Sequence, residues 1–425
     1  MKKLVIAMVA VLLVAALAIS IPQISAKSDT AAAAAAQTAE TAEAEKTETT
    51  ETAQTETAAA ESVDAVSEDD VVTVYSSAYV DYDALYAAYD PDEIAVTING
   101  HEVTWDEYYT WISYYTENLE YYMQMYAMYG YTMSWSDVID DETGTTCADE
   151  AVSTSLQFVE QIYNTLDYAE ANGYLTDDVY AELEEDEQAK IAELIESGTL
   201  EEGAGEEEFE AYLRENHSSL TQYNAIALFG IITDRIYIDL YGENSELVTD
   251  EQALEYYNEN SYIYANHILF LNTDSSTGEA LSDADLEAIL AKAQEISDEL
   301  NAIEDDEERA ARFLELKEEY DEDTGKEYYP NGYIFGLGEM VDEFDSAARA
   351  LAVYEVSAPV ESSYGYHIIM RMPDDMDAVV TSEDASTREL AGSALFNDLM
   401  DEIMAANEAK LTPACESFSL LDYLA

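Results

Sequence analysis

Side chains able to do chemistry are sparse in this sequence, and two of them bound a single block. There are four histidines in 425 residues. His267 lies in the apolar run NHILFL and His367 in the run YGYHIIM, both of which read as strands. A lone histidine in a strand is most often a hydrogen-bonded core residue. Two at the ends of one block point instead to a shared site. Asp323 stands between them in the acidic run EYDED, where a solvated carboxylate is the ordinary outcome. Met340 and Phe344 lie four residues apart on a helical stretch, a spacing that stacks them on one face. The two cysteines, Cys147 and Cys415, are too few for a disulfide framework; one bridge and two free thiols are both open.

The elements that must hold these residues follow from local pattern. NHILFL is expected to be a strand, and 282–300 a helix capped by Ser282. A second helix is expected over 308–325 with an acidic exit. Residues 331–351 give a Gly-rich strand and turn, then a helix; 356–372 give a turn at Pro359 and a closing strand.

Four short words occur here in order: HIL at 267–269, G-x-G-E-M-x-x-x-F at 336–344, A-P-V at 358–360 and Y-G-Y-H-I-I at 364–369. Together they resemble the parvulin family of peptidyl-prolyl isomerases, over about a quarter of the chain. The resemblance implies an α+β unit, a small antiparallel sheet flanked by helices. It implies that His267 and His367 pair at the centre of the sheet and that Asp323 joins them as a catalytic residue. It implies that Phe335, Met340 and Phe344 hold the prolyl ring and that Ser362 lies near the second histidine.

The chemistry asks little of a site. An X–Pro bond crosses a barrier of about 18–20 kcal/mol because rotation removes amide resonance. A site that binds the twisted amide better than either planar form accelerates the exchange. It needs an apolar slot and polar groups that steer the amide, with no covalent intermediate, metal or cofactor. Two departures from the family pattern stand out. Pro330, Asn331, Gly332, Tyr333 and Ile334 replace its usual glycine-rich approach to the pocket strand. The loop 271–280 has no Lys or Arg. Reading a phosphorylated Ser/Thr-Pro segment requires cations there, so no preference for phosphorylated substrates is expected.

The rest of the chain places this block. Asp and Glu number 93 against 16 Lys and Arg, a net charge of −77, which excludes nucleic acid as a partner. Lys2 and Lys3 precede an apolar run at 4–21 and a small-residue site at Ala26. That is the layout of an export signal, expected over 1–26; left uncleaved, the run is about the roughly 17–25 residues that span a bilayer. Residues 27–70, almost wholly Ala, Thr, Glu, Gln and Ser, are expected to be a disordered acidic linker. Asn99-Gly100 marks a hairpin within 93–105. Thr104 and Glu107 read as a capping box for a helix rich in Tyr and Met, extending towards Met133. Further helices are expected at 149–172, 176–197, 206–215 and 218–241, then one capped by Thr249 and Gln252, with a last one at 382–409.

This layout resembles exported foldases of the PrsA and SurA kind. It implies a helical N-terminal chaperone domain (71–260), a parvulin-like insert (261–373) and a C-terminal helix and tail (374–425) that pack on the helical domain. The function expected is that of an exported prolyl isomerase and chaperone acting on unfolded or extended proline-containing polypeptides. The alternatives are an inactive holdase and an envelope protein using the fold as a scaffold. The Tyr- and Met-rich helix either lines a client groove or packs within its own domain.

Overall fold

The computed structural model describes residues 79–128, 133–140, 142–405 and 409–425. The export signal, the anchor at 4–21 and the acidic linker lie outside the described residues. The chain divides into two compact units, residues 79–236 with 399–425, and residues 237–398.

The first unit is mainly helical. A short helix α1 (Tyr82–Tyr86) precedes the hairpin of β1 (Ile94–Ile98) and β2 (His101–Thr104). Asn99 and Gly100 at its turn have φ of 54° and 100°. Positive φ at both central residues is what a two-residue turn of this hand requires. Five helices follow: α2 (Trp105–Met128), α3 (Cys147–Asn172), α4 (Asp177–Glu196), α5 (Glu206–Glu215) and α6 (Leu220–Tyr241). The expected capping box at α2 is only half formed. Thr104 Oγ1 accepts from the Glu107 N–H at 3.4 Å, but the Glu107 carboxylate turns inward to accept from Tyr163 Oη at 2.8 Å. Burial raises the pKa of that carboxyl. In α2, Tyr108, Trp111, Ile112, Tyr115, Leu119 and Met123 are buried, while Tyr121 is exposed. This stripe of the helix therefore packs in its own unit. Cys147 and Cys415 are buried free thiols, their pKa values pushed up by burial to about 12 and about 11.

The second unit takes in the last residues of α6 and continues with α7 (Asp250–Glu259), whose capping box of Thr249 and Gln252 is complete. Then come β3 (Ile263–Leu271), α8 (Asp283–Asn301, capped by Ser282) and α9 (Asp306–Tyr320). They are followed by β4 (Tyr333–Phe335), α10 (Asp342–Ala350), β5 (Val360–Glu361), β6 (Gly365–Arg371), β7 (Val379–Val380) and β8 (Ala385–Ser386). The sheet order is β5-β6-β3-β4-β7-β8, antiparallel except for the β4–β7 pair. Strand alternation sorts the side chains onto two faces. Ile268, Phe270, Ile368 and Met370 meet Ile296 and Leu300 of α8 and Phe313 and Leu316 of α9. Ile263, Ala265 and Ile369 meet Phe335 and, on α10, Phe344 and Ala348. His267 and His367 continue this second face.

Two expected helices are shorter than their patterns suggested. α9 stops at Tyr320, because Asp321 turns to extended geometry and its side chain is taken by the neighbouring strand. The last helix, α11, runs Thr387–Ala405. Ahead of it, Ala385 and Ser386 pair with β7 as β8. Beyond it, β9 (Ala409–Leu411) adds to β1 in a three-stranded sheet, and Pro413–Glu416 form a short α12.

Candidate functional site

β3 and β6 are paired so that His267 faces Ile369 and His367 faces Leu269, which sets the two histidines diagonally on one face. Their rings stack, with centroids 5.2 Å apart and planes 14° apart, and Nδ1 lies 3.0 Å from Nδ1. His267 Nε2 is 2.9 Å from Asp323 Oδ2, and His367 Nε2 is 2.7 Å from Ser362 Oγ. The four polar residues named from the sequence therefore form one line: Asp323, His267, His367, Ser362. Both imidazoles are buried, and Asp323 and Ser362 end the line nearer solvent.

Proton placement follows from the partners. Burial opposes ionisation of Asp323, but hydrogen bonds from His267, Tyr333 and the Gly325 N–H outweigh it and hold the carboxyl well below the usual carboxylate range. An ionised Asp323 requires a proton on His267 Nε2. With both rings neutral, His267 Nδ1 accepts from His367 Nδ1–H, and His367 Nε2 accepts from the Ser362 hydroxyl. Ser362 Oγ in turn accepts from the Tyr364 N–H at 3.1 Å. Burial, then the neighbouring His267, lowers the His367 pKa from 6.5 to about 4. That direction favours the neutral imidazole, which can pass polarisation along the line through its two ring nitrogens.

The apolar residues named from the sequence adjoin this line. Phe335, Phe344 and Met340 belong to one cluster, the two phenylalanines buried and Met340 partly exposed. The Phe344 ring stands edge-on to His267 at 5.2 Å and to His367 at 5.4 Å. A polar line and an apolar wall thus share one surface. No group of three or more His, Cys, Asp or Glu side chains suited to a metal ion occurs among the described residues.

Two features were missed from sequence. Tyr333 donates its phenol to Asp323 and sets its ring edge-on to His267 at 5.6 Å. It sits in the altered approach 330–334. Gly332 there has φ of 108°, and a Cβ would lie 2.5 Å from the Ala265 carbonyl oxygen. Glycine is what lets this segment close on β3. The second missed feature is Lys317 with Asp321, a buried ion pair beneath the histidine strand. Its only sequence signal was the four-residue spacing in KEEYD.

Residues 267–373 match the family described as the PPIC-type PPIASE domain, Rotamase. This segment is a PPIC-type parvulin domain. Over longer stretches the chain is homologous to PrsA foldase proteins. The foldase protein PrsA of Halalkalibacterium halodurans is 36% identical over 29% of this chain and 31% of its own length. That of Geobacillus sp. (strain WCH70) is 32% identical over 43% of this chain and 54% of its own. The chain thus spans about a third to a half of the curated relatives it matches. The solved structure of PrsA from Bacillus subtilis aligns over 75% of this chain and 92% of its own at 19% identity, with a TM-score of 0.22. The matched segment begins at the first site histidine and ends just past the second strand of the pair.

Proposed function

We propose that this protein is an exported foldase: a peptidyl-prolyl cis-trans isomerase with chaperone activity towards unfolded or extended proline-containing polypeptides. The observation that carries the reading is the line Asp323–His267–His367–Ser362 beside the apolar wall of Phe335, Met340 and Phe344. In this reading the prolyl ring rests against the wall, at the edge where Met340 reaches solvent. The histidines, Asp323 and Ser362 hold the wall's polar border and steer the twisting amide. The cation-free loop 271–280 supports clients that are not phosphorylated. Residues 1–26 supply export, and the run at 4–21 remains as an anchor where it is not cut; the mass of the exported protein separates the two.

The test is the cis-to-trans relaxation of a short X-Pro peptide. Micromolar protein should accelerate it. His267→Ala should lower kcat/KM by roughly ten- to a hundred-fold in a protein that still folds, since misaligned site groups cost on that order. No acceleration by the parent overturns the enzyme reading; full activity in the variant overturns the site assignment. The second reading, a silent holdase, is favoured by how deeply Phe335 and Phe344 are buried. It predicts slowed client aggregation with no effect on the peptide.

A further inference from the structure

The strand that carries His267 is covered unequally on its two edges. β6 pairs with it from Ala265 to Leu271, but β4 meets only Ile263, Tyr264 and Ala265. From His267 onward the backbone groups on that second edge need other partners, because a buried unpaired N–H or C=O is costly. The Asn266 side chain accepts from the His267 N–H at 2.8 Å, and the end of α9 with the turn after it supplies the next partners. Lys317 Nζ donates to the His267 carbonyl at 2.9 Å. Asp321 Oδ1 accepts from the Leu269 N–H at 2.9 Å, and the Glu322 N–H donates to the Leu269 carbonyl at 2.9 Å.

Lys317 and Asp321 also bond each other, Nζ to Oδ2 at 2.6 Å, and both are buried. The same Asp321 Oδ1 accepts from the Asp323 N–H at 3.2 Å. One buried carboxylate therefore ties the strand just beyond His267 to the backbone of the residue whose own carboxylate bonds the His267 ring. Its ammonium partner holds the His267 carbonyl. An ion pair out of water is commonly no more stabilising than apolar residues of similar size. What this pair supplies that apolar residues would not is direction: four hydrogen bonds that fix both partners of the Asp323–His267 contact.

We propose that Lys317 and Asp321 are positioning residues of the isomerase site, aligning the Asp323–His267–His367 line without touching the substrate. The proposal rests on the isomerase reading for its catalytic consequence, and its structural part is measured independently. The full chain has only four histidines, so imidazole nitrogen NMR reports each of them. In Asp321→Ala, which removes the acceptor for both backbone N–H groups, the resonances of His267 and His367 should move while those of His101 and His217 stay. Turnover should fall on the order of tenfold or more in kcat with KM nearly unchanged, as loss of alignment rather than binding predicts. Asp321→Asn, which keeps an acceptor oxygen, should recover most of that loss.

Lys317→Met keeps the Asp321 acceptor for the Leu269 and Asp323 N–H groups but removes both the tie to the His267 carbonyl and the ion pair with Asp321; it serves if Asp321→Ala does not fold and should shift His267 in the same way. Unmoved His267 and His367 resonances with parental turnover in the folded variants, even with a lowered melting temperature, would overturn the proposal. A parent protein with no turnover would overturn the isomerase reading alone, and the histidine shifts would still decide the positioning.

Discussion

At the scale of residues, His367 gives a pH signature whose sign can be worked out. Its folded pKa of about 4 lies below its ordinary 6.5, so between these values the unfolded chain binds the proton and the native one does not. This contribution to stability is intact above pH 6.5, declines as pH falls, and is gone below about 4. Its full size is about 3–4 kcal/mol. Asp323, whose pKa is lowered, adds a further loss only in the more acidic range where carboxylates protonate. Protonating a surface of net charge −77 relieves self-repulsion and pushes the other way. The clean measurement is therefore a difference. Denaturant unfolding at pH 7 and pH 4.5 should show His367→Phe losing less stability on acidification than the parent. Equal losses would mean His367 is not held neutral.

At the scale of elements, the site depends on segments that approach one another closely. The three residues of β4 reach the sheet only because Gly332 adopts a positive φ against the Ala265 carbonyl. Gly332→Ala should cost about 1–3 kcal/mol, from left-handed strain and the close contact. It should also draw the Tyr333 phenol away from Asp323, raising the Asp323 pKa. Thermal unfolding checks the first effect and carbon NMR of the carboxyl checks the second; a variant as stable as the parent would show that 330–334 has room to relax. This segment is also where the family words are absent. Sequence comparison marked the departure, but not that a phenol would fill it.

At the scale of the whole molecule, the excess of 93 acidic over 16 basic residues is the dominant property. If the protein acts as the proposed chaperone, such a surface would attract basic unfolded clients and hold client complexes apart by repulsion. Suppression of aggregation by the core, residues 71–425, should therefore be stronger for a basic client than for an acidic one. The difference should shrink as salt shortens the range of the field, about 10 Å at 0.1 M and roughly 3 Å at 1 M. Light scattering measures it, and salt-independent protection of both clients would assign the proposed chaperone activity to apolar contact instead.

What the sequence by itself determined was local or carried by whole words. Asn99-Gly100 specified its turn, Thr249 with Gln252 its cap, and the strand words containing His267 and His367 their domain, because each signal acts within a few residues. The ends of α9 and α11 were misread for the same reason. Helical spacing does not reveal that Asp321 is claimed by β3, nor that Ala385 and Ala409 have strand partners elsewhere in the chain. The histidine pair shows both sides most plainly. Its membership was legible in sequence, whereas its alignment came only from the tertiary structure. The pairing of β4 stops before His267; Lys317 and Asp321 supply hydrogen bonds that the strand lacks there, and Tyr333 holds Asp323, from positions that spacing alone does not bring together.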